Sequence, residues 1–215
     1  NTLTAYNTDS LSQFDGIFRL SKVQRLIDET NSSLLSNITT VTMANTITPT
    51  LNSATSYTST FNNSFYAPYS GYNKEKGGVI ASTGFKIKGD TTNTMFFDDD
   101  GSGNLRMYYL VAGARVYQLI NGSTTIGTVD YAKGTVKTVS LTITDIGNVD
   151  GASSTSIRIT AIPSSNDIVP VRNQLLEIDF VNSIIAGEVD TIAVSDASAG
   201  STYQTTSSVT STSSY

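Results

Sequence analysis

The runs IGTVDYAKGTV (126–136), VSLTITDI (139–146), SIRITAIPSSNDIVPVRNQLLEID (156–179) and EVDTIA (188–193) decide the fold class of this chain. Two extended runs flank Tyr131, Ala132, Lys133 and Gly134, where the glycine can take the positive φ that a tight hairpin needs. In a third run Ile157, Ile159 and Ala161 alternate with Arg158 and Thr160, the period of a strand with one buried face, and the run stops at Pro163. These are hairpin and strand signals. None of them is chemistry.

In order and wording this stretch resembles the C-terminal part of the baseplate wedge protein of T-even-like contractile-tailed phages, above all its marine relatives such as those of cyanophages. That family is architectural and related to the baseplate J-like proteins. The similarity continues in FRLSKVQRLID (18–28), SNITTVTM (36–43), STGFKIKG (82–89) and FFDDDGSGNLRMYYL (96–110), in the same order. Each piece alone is short, and the order carries the weight. The resemblance implies a C-terminal fragment of a longer protein, whose copies pair as dimers and link into a ring around the central hub. It offers no catalytic residue to carry over.

Composition reaches a compatible class independently. With 215 residues and 38% hydrophobic content the chain can bury a real core, while charged residues are only 14%, against a typical value of about 25%. Abundant Thr with Val, Ile, Tyr and Phe suits pleated, half-buried surfaces, and scattered Gly and Asn supply turns. There is no Cys and no His, which removes disulfides, thiolate chemistry, Ser-His-Asp catalysis and His-ligated zinc. A net charge of -5 argues against a phosphate-binding surface, so nucleic acid is not an expected partner. No apolar run approaches the roughly 20 residues that cross a bilayer, so a membrane is not one either.

The clearest helix begins at Ser21, where Ser21 and Gln24 have the spacing of a capping box. Val23, Leu26 and Ile27 follow at helical spacing opposite Lys22, Arg25, Asp28 and Glu29. Phe14, Ile17 and Phe18 could extend the stripe upstream, but Gly16 costs about 1 kcal/mol inside a helix, so a short helical segment, a break and then the capped helix are expected. Asn31 could cap a further turn through Leu34 and Leu35. The stripe covers its own core, or else it is a contact surface that an isolated chain leaves exposed. From Asn37 the period changes to that of strands: Val41, Met43 and Ile47; then Tyr57 and Phe61 on an edge; then Phe85 and Ile87, Met95 to Phe97, Leu105 to Tyr109, and Val116 to Ile120 as an antiparallel meander.

One cluster tempts a chemical reading. Asp98, Asp100 and Ser102 match the first alternating ligands of a calcium loop and Gly103 its turn position, but the place of the bidentate Glu is held by Tyr109. An exposed acidic hairpin turn is the expectation, tolerant of Asp98→Asn and Asp100→Asn. Glu177 and Asp179, two apart on an expected strand, would be near neighbours without a pocket. The sequons at Asn31, Asn37, Asn62 and Asn121 are what a chain rich in Asn, Ser and Thr contains by chance. Arg172 and Asn173 are expected in local structural roles.

The expectations are therefore an α+β, mainly β chain, with a short N-terminal helical segment followed by antiparallel β meander or sandwich-like regions: a helical segment over 1–36, an antiparallel β region over 37–125, a second β region over 126–194 and a Ser/Thr-rich tail over 195–215. As implied by the resemblance, the function is to build a phage tail baseplate as a virion structural protein, by self-association and by docking other wedge proteins, with no enzyme activity, cofactor or metal. Val23, Leu26, Ile27 and Tyr203 are the candidate contact residues, and Tyr203 to Val209 is expected to be held by packing or strand pairing. The rival from another class is a β-rich receptor-binding or adhesion module of a tail fibre or bacterial surface, with its eleven Tyr as anchors. An enzyme comes third, since it would need converging acids in a pocket.

Overall fold

The computed structural model describes residues 2–149, 152–171, 174–187, 194–196, 200–202 and 209–210. They divide into two compact units, Asn1–Leu175 and Leu176–Tyr215. The first opens with a short helix α1 (Thr2–Tyr6), a π-helical turn over Asn7–Leu11 and helix α2 (Leu20–Asp28). Strands β1 (Met43–Ile47), β2 (Ala54–Thr55), β3 (Thr58–Thr60), β4 (Ile80–Ser82), β5 (Phe85–Ile87), β6 (Asp90–Asp99) and β7 (Asn104–Val111) follow. Then come β8 (Ala114–Tyr117), β9 (Thr125–Asp130), β10 (Thr135–Thr138), β11 (Leu141–Ile146), the small pair β12 (Asn148–Val149) and β13 (Ala152–Ser153), and β14 (Ile157–Ala161). The chain is mainly β and antiparallel, as its sequence indicated.

The principal sheet runs β2-β11-β5-β6-β7-β9-β10-β3, with β8 attached to β7. Only Val139 and Ser140 separate β10 from β11, so the hydrogen-bonded path returns to the run on which it began. The circuit can be followed through Val136 beside Val129, Leu105 beside Gly127, Phe97 beside Met107, Phe85 beside Met95 and Ile143 beside Ile87. A sheet that curls round in this way encloses one side of its strands and leaves β2 and β3 as its edges. Phe85, Met95, Phe97, Leu105, Met107, Ile126 and Ile143 are wholly buried, and they form the core of the circuit. The segment Ala54–Thr60 runs along the outside of the bent run, pairing with β11 through β2 and with β10 through β3. A second, three-stranded sheet, β1-β14-β4, carries the buried faces of Met43, Ile47, Ile80, Ile157 and Ile159.

The hairpin read around Tyr131 to Gly134 joins β9 to β10, with Gly134 at φ 61; a Cβ there would strike the carbonyl of Asn63. The strand read at Ile157, Ile159 and Ala161 is β14, with those three side chains buried and those between them partly exposed. The meander is β5 to β8, although β8 ends at Tyr117, short of Gln118 and Ile120. Tyr57 and Phe61 flank the edge strand β3.

The helix start differs from the sequence reading. Ser21 is inside α2, the N-cap is Arg19 with no side-chain cap, and the amide of Leu20 donates instead to Asp167 Oδ1 at 3.2 Å. Phe18 bridges Ile168 on the same returning segment, so the cap comes from a chain brought in by tertiary structure. Phe14 is 84% exposed and does not extend a buried stripe. Asn31 does make a turn, with its Oδ1 accepting from the Ser33 amide at 2.9 Å. The run 174–179 contains no strand, so Glu177 and Asp179 do not share one, and Asp179 binds the amide and side chain of Asn182. In the second unit, Val194–Asp196 pairs with Gly200–Thr202 and Ala186–Gly187 with Val209–Thr210. Arg172, Asn173, the run 188–193 and Tyr203 lie outside the described residues.

This helix start is testable. Asp167→Ala should lower unfolding stability by about 1 kcal/mol in a urea titration, the usual cost of an N-cap, whereas Ser21→Ala should change it by less than about 0.5 kcal/mol.

Candidate functional site

Strand β6 ends in Asp98 and Asp99, which alternate to opposite faces and are both buried, 1% and 0% exposed. The exposed acidic turn expected from the sequence is thus only half right. The turn is there, but two of its three carboxylates are interior. Asp98 Oδ1 meets Arg106 Nε at 2.9 Å, and Oδ2 meets Arg115 Nη1 at 2.9 Å and the Tyr117 hydroxyl at 3.2 Å. The Arg106 guanidinium lies 4.3 Å from the Tyr117 ring, and that of Arg115 lies 4.6 Å from the Tyr108 ring. Arg106 Nη2 also donates to the carbonyls of Asp99 and Lys74.

Asp99 serves the other face. Its Oδ1 accepts the amides of Val79 and Ile80, each at 2.7 Å, and its Oδ2 accepts the Tyr131 hydroxyl at 2.6 Å and the Gly101 amide at 3.1 Å. The close approach is possible because residue 78 is glycine at φ +65; a Cβ there would collide with the Asp99 carboxyl. Asp100 closes the turn locally, accepting from the Ser102 amide and from the amide and side chain of Asn104. Each carboxylate is held by its own protein donors, and the described residues contain no group of three or more acids that could hold a metal ion.

The electrostatics follow from these contacts. Burial pushes the Asp98 carboxyl up, and the charges of Arg106 and Arg115 pull against that without cancelling it. For Asp100 burial also pushes up, but the bonds from Asn104 and Ser102 together outweigh it and hold the group below its ordinary value. Tyr131 is pushed well above the ordinary phenol value by burial first, then by its bond to Asp99 and the charge on that group. The arrangement ties the loop before β4, the β7–β8 hairpin and the β9–β10 turn to one strand end.

The candidate contact residues lie at the other end of the sequence. Val23 is buried, so part of the α2 stripe does cover this chain's own core, while Leu26 and Ile27 are half-buried. Helix α2 packs on α1, with Lys22 Nζ 4.7 Å from the Tyr6 ring. A shallow groove beside them is lined by Ala5, Tyr6, Asp9, Lys22 and Leu26. Outside it Phe14, Leu35 and Ile38 are 84%, 79% and 98% exposed, while Asn37 is fixed to α2 through Gln24 and Asp28. The sequence carried a sign of this surface: from Thr30 to Asn73 it has no charged residue at all. The buried acids were also signalled, by the two arginines on the neighbouring strands that answer them.

The exposed residues Phe14, Leu35 and Ile38 fall within a similarity to a described family. Residues 1–46 match the model of a family described as baseplate structural protein gp6, C-terminal domain III. No curated protein matches the chain. The match spans less than a quarter of the sequence and includes α1, α2, Phe14, Leu35 and Ile38. It supports a phage baseplate protein with a structural role in the virion tail baseplate, in company with other baseplate proteins.

Two outcomes test the acidic cluster. Asp98→Asn should destabilise the fold by about 3 to 5 kcal/mol, since it strips the counter-ion from two arginines, whereas an exposed turn would register under about 0.5 kcal/mol. Tyr131 has a raised pKa in the folded state, so its contribution is complete below the unfolded value near 10 and is lost as pH rises through the folded one. Stability should therefore fall above about pH 10, and Tyr131→Phe should flatten that fall in alkaline unfolding titrations.

Proposed function

We propose that this chain is a wedge subunit of a contractile-tail baseplate, which pairs with its own copies as a homodimer, joins a ring in the virion and docks other wedge proteins. The observation that carries this reading is the coincidence of the family match over 1–46 with exposed Phe14, Leu35 and Ile38. Large apolar side chains exposed to this degree are available for contacts with other proteins. Such a role asks for complementary surfaces, not a reactive centre, and it calls for no cofactor, nucleic acid or membrane. Of the residues first singled out, Leu26 and Ile27 are partly exposed on α2 and Val23 is buried. The rival adhesion reading would use Tyr66, Tyr69 and Tyr72, which meet edge to face with centroids 5.2 and 5.5 Å apart. The family match favours the baseplate.

Light scattering over a concentration series checks the self-association. A dimer mass is expected at concentrations above micromolar, and Phe14→Ser with Ile38→Ser should weaken pairing by at least about tenfold, given about 1.5 to 3 kcal/mol for each large apolar side chain buried. A strictly monomeric mass well above micromolar would defeat this reading.

A further inference from the structure

The β7–β8 hairpin outgrows the sheet that carries it. Strand β6 pairs with β7 only from Leu105 to Tyr108, β9 pairs only from Asn104 to Arg106, and β8 pairs with β7 alone. Beyond Tyr108 the ribbon is therefore two strands wide. Its base is braced by the Arg115–Asp98 ion pair, by Arg115 over Tyr108, and by Tyr108 against Phe96 and Tyr117. Its tip is apolar: Leu110, Val111, Ala112, Gly113 and Ala114 include no polar side chain, and Leu110 and Val111 are each 51% exposed. Neighbouring residues of a strand face opposite ways, so both faces of the ribbon present apolar surface.

The turn itself is the second observation. Ala112 and Gly113 both have positive φ, 49 and 82, the type of two-residue hairpin turn that normally takes Asn-Gly. Among the described residues the same chain uses Asn-Gly at another such turn, where Asn121 and Gly122 have φ 51 and 79 between the bridged Ile120 and Ser123. Alanine at positive φ costs conformational energy that asparagine largely avoids. A water-facing tip has no use for that exchange, whereas a tip that loses its water on docking does, because a buried Asn would need partners.

We propose that the hairpin tip, Leu110 to Val116, is a peg that seats in an uncharged apolar cleft of a different protein chain in the assembly; this rests on the baseplate reading. Charge argues for a different chain. Residues 110–114 carry no charge and Arg115 at the base is paired with Asp98, which it shares with Arg106, while two hollows on this chain's described surface contain Asp9 with Lys22, and Asp130 with Lys133 and Lys137. Two tips meeting each other would bury only a few hundred Å2 in total, short of the roughly 800 Å2 per partner of a stable interface. A lipid seat is disfavoured because both ribbon edges would face hydrocarbon unpaired, and because a chain of net charge -5 is repelled by anionic headgroups.

The chain has no cysteine, so single thiols can report on each turn. Ala112→Cys and Asn121→Cys should react at similar rates with a water-soluble maleimide in the isolated chain, read by peptide mass spectrometry. In purified baseplates the thiol at 112 should react at least tenfold more slowly while that at 121 keeps its rate. Equal rates in baseplates overturn the peg. Protection of 112 in the concentrated isolated chain assigns the contact to a second copy, and protection by phosphatidylglycerol vesicles assigns it to lipid; either overturns the proposal. Leu110→Ser with Val111→Ser should leave the solution mass unchanged and reduce incorporation into baseplates at least tenfold, and unchanged incorporation counts against the peg. An Ala112→Cys chain found in baseplates with a reactive thiol at 112 sinks the peg alone, whereas absence of the wild-type chain from baseplates sinks the functional reading as well.

Discussion

Two adjacent carboxylates buried at the end of one strand are the constraint on which much of the first unit depends. Removing an ion from water costs several kcal/mol even after relaxation, so Asp98 and Asp99 are tolerable only if every lone pair is answered. The answers come from far along the chain: amides at Val79 and Ile80, guanidinium groups at Arg106 and Arg115, hydroxyls at Tyr117 and Tyr131. A register slip of β6 by one residue would exchange the two acids between faces and leave both sets of donors unmatched. The pair therefore disfavours alternative registers, even where its net contribution to stability is modest.

That specification matters because of where β6 lies. It stands between β5 and β7 in a circuit that closes on the bent run Thr135–Ile146, so an error in its register would pass to Phe85 on one side and Met107 on the other. Phe85 and Phe97 pack with ring centroids 4.6 Å apart inside the circuit. Apolar packing makes the closure favourable, and the polar cluster at the strand end selects which closure. Aliphatic and aromatic contacts alone are less particular about register than paired charges are.

The parts of this fold legible in the sequence are those whose cause is local. Gly134 announces a hairpin because the turn itself needs positive φ, and the alternation of Ile157, Ile159 and Ala161 announces β14 because burial of one face is written every second residue. The helix cap was misread because its partner, Asp167, is brought to Leu20 by folding and not by spacing. The acids were misread for a similar reason. Asp-Asp-Asp-Gly has the composition of a solvated turn, and only the pairing of β6 with β7 and β8 brings Arg106 and Arg115 over it. The α2 stripe was ambiguous because periodicity identifies an apolar face without saying what covers it, and the fold covers Val23 while leaving Leu26 and Ile27 partly open.

The same chain treats its inward and outward polar groups differently, and the contrast bears on how such a molecule makes contacts. Inside, the carboxylates of Asp98 and Asp99 are each answered by several donors. Outside, the exposed residues between Thr30 and Asn73 carry no charge, and their polar groups are amides and hydroxyls. A neutral surface forgoes long-range steering but avoids the desolvation of unpaired ions when two surfaces close, which is the larger expense in a permanent contact. Rigidity completes the argument. A tip braced by an ion pair and stacked rings surrenders little conformational freedom on docking, so more of the apolar burial remains as binding free energy. The acidic cluster thus fixes strand register in the interior and, through Arg115, also stiffens the base of an exposed hairpin.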